Sequence, residues 1–326
     1  MTPPEPEQAV VIDASFVPKS GKQTYGLDRF WNGRHGRSEK GLEISALAWL
    51  DITANCASSR SVEQTPPTSE ATAPETTRID VYLEQLTRVI SAHDLSHRRD
   101  VITDGYDSKQ NFINGVQALG RHQMGTRRID ANLRYLYHGP KRLAPGRPKT
   151  YDGKVNGDDL TRVEALETEA DPMVLYHQVV NHVQFQCNLR VVLVVDTKHN
   201  RRALLLSTDV DVDALTIYRY DKARFHIELL FRDAKQFTGL CDSQARSQAT
   251  LDFHCKASVT AVTLARLEAR QQHGDTMASF SMASLKRRAC NQHLLDRICD
   301  HLAKGHRLEK SSPDYEELCN YGSMTE

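Results

Sequence analysis

Residues 218–239 read YRYDKARFHIELLFRDAKQFTG. Run as a helix, this stretch sets Arg224 one i,i+4 step before Glu228 and Lys235 two turns after it, so all three project from one face. Phe225, Leu229 and Phe237 supply an apolar flank for packing. A carboxylate between two cations is either a solvated face with weak intrahelical ion pairs or one arm of a polar site, and the stretch alone leaves both open. Whether other acids converge on Glu228 depends on the chain around it.

The chain has 326 residues, enough for one large domain with an insertion or for two domains around a substantial core. Lys plus Arg number 42 and Asp plus Glu 42, and this zero net charge, taken alone, argues against a nucleic-acid partner. The distribution argues differently. Arg121, Arg127, Arg128, Arg134, Lys141, Arg142, Arg147 and Lys149 stand against one acid, Asp130, with Tyr135 and Tyr137 among them. Such a stripe either follows a phosphate backbone or is a solvated loop. The most apolar run, Val191 to Val195, is too short to span a bilayer, and Met1 to Gln8 lacks a leader's basic and apolar regions, so no membrane association and a cytoplasmic location are expected. The 7 cysteines form no C-x-x-C pair, which suits reduced thiols rather than disulfides or zinc.

Ala9 to Ile12 is an apolar run that ends on Asp13, as a buried strand with a carboxylate at its C-terminal end would. Leu42 to Ile52 alternates with period two, and Ser58 to Gln64 suggests a third strand, together an antiparallel meander. Thr65 to Thr77, rich in Pro, Thr and Ser, is a loop, and Tyr82, Leu86, Val89 and His93 mark a helix from Ile79 to Leu95. Val101 to Thr103 is a short strand ending on Asp104, before a helix that Ser108 could cap. Gly120 to Leu133 should be a further strand, although Gly125, Arg127 and Arg128 make it a poor one. Val191 to Val195 and Ala203 to Ser207 read as a hairpin ahead of the 218–239 helix, and later apolar spacings mark two more helices.

Three strands, helix, strand, helix, strand, insertion, helix is the order of an α/β, RNase H-like fold. In that fold the strands ending on Asp13 and Asp104 are neighbours, and the late helix brings Glu228 to them. Three converging carboxylates repel one another unless a cation intervenes, and hard oxygen ligands suit Mg²⁺ or Mn²⁺. Two such ions clamp the attacking and leaving oxygens of a displacement at phosphorus.

The segments VVIDASFVPKSGKQTYGLDRFWNG, VITDGYDSKQNF, RRIDANL and RFHIELLFRDAKQFTGL, then CDSQARS, resemble the DDE transposases of bacterial insertion sequences, in the subgroup with a Tyr, Arg, Glu, Lys signature. The resemblance runs from Gln8 to Arg266 and implies a metal-dependent endonuclease of DNA transposition and recombination. Asp13, Asp104 and Glu228 match the family's catalytic, metal-binding triad, which holds two Mg²⁺ or Mn²⁺ ions. Arg224 and Lys235 match its DNA-contacting Arg and Lys, and Arg128 and Tyr220 are further DNA-binding candidates. The implied partners are DNA, as element ends and target, and a second copy in a homodimer, with the protein on the bacterial nucleoid when bound.

The resemblance also divides the chain. Residues 1–133 would be the first part of the RNase H-like core, 134–212 a β-rich insertion, 213–245 the helix bearing Glu228 and 246–326 a helical C-terminal region. Asp221 occupies the tyrosine position of the signature, with Tyr220 beside it. Only residues 1–12 precede Asp13, where the family carries a DNA-end-binding domain. The alternative expectation is therefore a truncated remnant that only binds DNA or a full-length transposase. Asp209, Asp211 and Asp213 lack the glycine and glutamate of a calcium loop, and Asp196 reads as a turn residue opening a hairpin.

Overall fold

A computed structural model describes residues 7–67, 77–93, 99–105, 109–140, 148–167, 173–199, 201–273, 280–302 and 310–320. The first half contains strands β1 (Gln8–Pro18), β2 (Asp28–Asn32), β3 (Arg37–Asp51) and β4 (Cys56–Gln64), helix α1 (Arg78–Ala92), strand β5 (Asp100–Thr103), helix α2 (Gln110–Ala118) and strand β6 (His122–Arg127). Strands β7 (Leu133–Leu136), β8 (Tyr151–Lys154), β9 (Glu164–Glu167), β10 (Met173–His182), β11 (Cys187–Asp196) and β12 (Arg201–Ser207) follow. Helices α3 (Ala214–Phe237), α4 (Gln248–His273), α5 (Met282–Leu302) and α6 (Pro313–Asn320) complete the described chain.

The strands form one open sheet in the order β2-β3-β1-β5-β6-β12-β11-β10-β7-β8, with β4 also on β3 and β9 on β10. Strand β5 runs parallel to both β1 and β6, and β1, β3 and β4 make the expected antiparallel meander. This mixed α/β sheet is compatible with an RNase H-like fold. None of its described helices is long and apolar enough to cross a membrane.

Central strands bury both faces, which is why β1 is apolar at consecutive positions. Val11, Leu42, Ile44 and Ile102 pack under α3 and α4 with Ile227, Leu230 and Val259. Val10, Ile12, Leu47 and Val101 pack on the opposite side with Leu86 of α1 and Phe112 of α2. Two polar residues of β3 on that second side are satisfied by α1: Tyr82 donates to Glu43 at 2.7 Å, and Ser45 to Gln85 at 2.5 Å. A third cluster lies around β7, β10, β11 and β12, where Leu133, Val180, Leu189 and Leu206 meet.

Several local expectations need correction. Residues 122–127 form a regular strand despite Gly125 and Arg127. Gly125 is buried between Thr103 and Leu206, and the Arg127 guanidinium lies 5.0 Å from the Phe185 ring, so neighbours on both sides override weak propensity. The inner face of α3 is Ile217, Tyr220, Ala223, Ile227, Leu230 and Ala234, whereas Phe225 is 52% exposed, so the apolar flank lies elsewhere on the helix than Phe225 suggested. Helix α2 starts after Lys109, which makes no side-chain cap, while Ser108 and Asp107 fall outside the described residues.

Helix α3 has definite ends. Asp213 caps its start, accepting from the Thr216 amide at 2.8 Å, so this aspartate serves the helix and not a calcium loop. Gly239, just past the Thr238 C-cap, takes φ +76, a conformation that favours glycine.

Candidate active site

Strand register sets the first two acids. Val10 pairs with Val101 and Val11 with Ile102, and the same offset carries Asp13 to Asp104. Val11 and Ile102 both pack beneath α3, so two residues further along the pleat each acid is placed on the α3 side. Asp13 accepts from the Ala14 amide at 2.8 Å. Its carboxyl is nevertheless pushed up to about 7, first by burial and then by the charge of Asp104, with Glu228 adding to the rise while Arg224 and the Ala14 amide oppose it.

Glu228 projects from α3 on the face that also carries Asp221, Arg224 and Lys235. Arg224 donates to it at 3.1 Å across one helical turn. Asp221 lies one turn before Arg224; burial raises its carboxyl above the usual range, and Arg224 partly offsets this. Both Asp221 Oδ1 and Arg224 Nε are buried without a hydrogen-bond partner. Lys235 reaches across to β1 and donates to Ser15 Oγ at 2.8 Å. Burial lowers its pKa, opposed by Cys241 and Asp13. Ser15 is a member of the site that the sequence reading missed, although its place two residues after Asp13 puts it on the same strand face.

Asp13, Ser15, Glu228 and Lys235 open into a cleft of 840 Å³ that Trp31 and Arg232 also line, whereas Asp104, Asp221 and Arg224 do not line it. Trp31 and the β2–β3 hairpin that carries it were likewise missed. A pair of short, polar strands around Asn32-Gly33 has little apolar patterning to reveal it.

The donor set suits a hard divalent cation. Asp13, Asp104 and Glu228 offer carboxylate oxygens alone; burial is the main cause of the Asp13 rise, and the charges of Asp104 and Glu228 add a repulsion that a cation would relieve. As the side chains stand, no three His, Cys, Asp or Glu groups among the described residues are gathered closely enough to hold a metal ion. Glu228 is instead engaged by Arg224.

Other candidates lie apart from the cleft. Arg128 follows β6 and is exposed, forking onto Asp130 at 3.1 and 3.0 Å. Tyr220 is only 6% exposed and packs in the core, with its hydroxyl held above the ordinary tyrosine range by burial and by Glu7, so it offers no surface to DNA. Within the basic stripe, Arg134 lies 3.7 Å from the Tyr151 ring and Lys149 pairs with Asp152 at 2.5 Å; Lys141, Arg142 and Arg147 lie outside the described residues. Asp196 accepts from the Lys198 and His199 amides at 2.9 and 3.0 Å, as the turn residue it was read to be. His182 stacks on Phe185 at 3.7 Å, and burial and Arg127 lower its pKa to about 4, which fits a neutral structural histidine. All 7 cysteines are free.

A family model described as DDE superfamily endonuclease matches residues 1–180, a span that includes Asp13 and Asp104. No curated protein matches the chain.

Proposed function

Since the chain belongs to the DDE superfamily of endonucleases, we propose that it is the transposase of a bacterial insertion sequence, of the subgroup with the Tyr, Arg, Glu, Lys signature, cutting and joining DNA through Asp13, Asp104 and Glu228. What carries this reading is the parallel register of β1 and β5, whose offset brings Asp13 level with Asp104, together with the cleft that Asp13 shares with Glu228 of α3.

In this reading the core is RNase H-like, with residues 134–212 as a β-rich insertion before the Glu228 helix. Asp13, Asp104 and Glu228 would hold Mg²⁺ or Mn²⁺, two ions in the working form. When bound, the ions supply charge neutralisation at the reacting phosphate and favour ionisation of the attacking group. Arg224 and Lys235 hold phosphates in register without reading bases. Hydrolysis joins a water oxygen to phosphorus and breaks the bond to the 3′ oxygen, which takes up a proton. The freed 3′ hydroxyl then attacks a second phosphodiester, in the opposite strand or the target, releasing another 3′ oxygen. Element ends and target DNA are the substrates, the assembly is a homodimer, and the site of action is the nucleoid in the cytoplasm.

The experiment is incubation of the chain with supercoiled or element-end DNA and Mn²⁺, beside Asp13→Ala. Nicking by the parent alone is expected, and equal nicking by both proteins would refute the assignment. The Arg224–Glu228 ion pair supports a second reading, a catalytically silent DNA binder. That reading requires salt-dependent DNA binding with no Mn²⁺-dependent nicking at all.

A further inference from the structure

The cleft has a second wall that Asp13 and Glu228 do not explain. Strands β2 and β3 make a hairpin in which Phe30 points inward, fully buried under the Arg78 guanidinium at 4.5 Å, so by the two-residue period Trp31 points outward. Trp31 is 59% exposed, a large apolar ring lining a cleft that Asp13 and Glu228 also line. No ring or cation contact covers it among the described residues. Trp49 is the contrast: Arg60 lies 3.5 Å from its ring and His93 meets it edge-on at 5.8 Å, so its surfaces are taken.

The hairpin tip is braced, so the exposed ring stands on a fixed support. The amides of His35 and Gly36 donate to Asn32 O at 3.1 and 2.9 Å, and Gly36 takes φ +62 to close the turn. Glu39 gathers the tip by accepting from Asn32 and Arg37, each at 2.7 Å, with His35 Nδ1 at 2.9 Å. Arg34 and Lys40 line the cleft on the hairpin side, and Arg232 and Lys235 on the α3 side.

From an uncovered indole that lines one cleft with Arg34, Lys40, Arg232 and Lys235 and with the carboxylates of Asp13 and Glu228, we infer that Trp31 is a stacking platform for an unpaired base of the DNA strand whose backbone enters this cleft. Aromatic faces with flanking cations are the chemistry that takes single-stranded nucleic acid, because every base has a face to stack while phosphates follow the positive walls. A duplex offers no free base face to the ring. This inference rests on the DNA-cleaving reading above and adds a strand-positioning residue on the hairpin, outside the acidic triad.

The full chain has only 2 tryptophans, which makes the test direct. Titration with a single-stranded oligothymidylate should quench the emission of the parent and of Trp49→Phe, and leave that of Trp31→Leu unchanged. By anisotropy, Trp31→Leu should bind the oligonucleotide roughly 5- to 150-fold more weakly, the range that one base stack is worth, while a duplex of equal length loses less. Equal affinity of parent and Trp31→Leu for the single strand, with Mn²⁺-dependent nicking still present in the parent, would overturn the platform and leave the nuclease reading standing. If the parent neither binds DNA nor nicks it, both readings fall together. A circular dichroism melt of Trp31→Leu matching the parent shows that an affinity loss is not a folding loss.

Discussion

Arg224 and Glu228 are joined at 3.1 Å across one turn of α3, while the Nε of the same guanidinium and the Oδ1 of Asp221, one turn earlier, are buried without partners. Arg224 therefore stands between two carboxylates and is satisfied by one. In the proposed nuclease, Asp13 and Glu228 would hold a cation that competes with the guanidinium for Glu228, and Asp221 would offer Arg224 another acceptor. Arg224→Gln removes the competitor of the cation. Its Mn²⁺ affinity by titration calorimetry should rise by about twofold, the worth of an i,i+4 ion pair. Its DNA affinity should fall, with a shallower salt dependence, as one phosphate contact is lost. Weaker Mn²⁺ binding by the variant would show that the guanidinium supports the cation site instead of competing with it.

Asp13 should make the metal-free fold sensitive to pH around neutrality. Its carboxyl is protonated in both states below the ordinary value of 3.8, and ionised in both above about 7. Between the two, the unfolded chain releases the proton and the folded chain keeps it, so stability falls as pH rises. Asp13→Asn has no such proton to lose. Its advantage over the parent in urea unfolding should therefore grow from pH 4 to pH 7 and then level off, reaching at most about 4 kcal/mol at ~1.4 kcal/mol per unit. A constant difference between the two proteins across that range would mean that the carboxyl titrates normally. Saturating Mg²⁺ should remove most of the slope by stabilising the ionised form.

Asp233 is the ionic hub behind the site. It is 2% exposed and accepts from Arg232 at 2.8 Å and from Arg266 of α4 at 3.1 Å, while Arg266 also donates to Ala57 O of β4 at 3.1 Å. Removing the acid strands the Arg266 guanidinium, only 12% exposed and with no other ion-pair partner among the described residues. Asp233→Ala should lose about 3–5 kcal/mol in denaturant titration, the penalty for breaking a buried pair on one side. Arg232→Ala should lose far less, because that guanidinium is 54% exposed and Arg266 still satisfies the acid. Similar losses for both would place the hub elsewhere.

Asp13 and Asp104 stood out in the sequence because each follows a short run that is mostly apolar, Ala9 to Ile12 before Asp13 and Val101-Ile102-Thr103 before Asp104. Glu228 was legible only as a charged helical face, since its inner neighbours are set by which side of α3 meets the sheet, and Phe225 pointed to the wrong side. Strand β6 was obscure because Gly125 gains its place from β5 and β12, pairings distant in sequence. Strand β10 was obscure for the same reason: His177, Gln178, Asn181 and His182 break its apolar pattern, and β11 and β7 supply the order that the pattern lacks. Trp31 left no periodic trace, because a braced turn and an outward ring depend on Asn32 and Glu39 meeting across the hairpin.

That hairpin branches from the core sheet at Gly41, which pairs with Pro18 of β1 on one side and Asp28 of β2 on the other. A Cβ there would lie 2.5 and 2.6 Å from two carbons of the Phe16 ring and 2.7 Å from Val17 O. The ring can turn away, but the carbonyl belongs to the backbone of the strand that carries Asp13. Gly41→Ala must therefore move β1 from β3 or tilt the hairpin. Overpacking of this kind costs about 1–3 kcal/mol, and that loss is expected in urea unfolding. Gly33→Ala, at the tip of the same hairpin with nothing within 4 Å of its Cβ, should unfold like the parent. The pair also separates stability from site geometry: Gly41→Ala should shift the Trp31 emission maximum in the folded protein, because the hairpin wall moves relative to α3. An unshifted spectrum together with parent-like stability would mean that the Phe16 ring absorbs the whole change and that the branch point is not rigid.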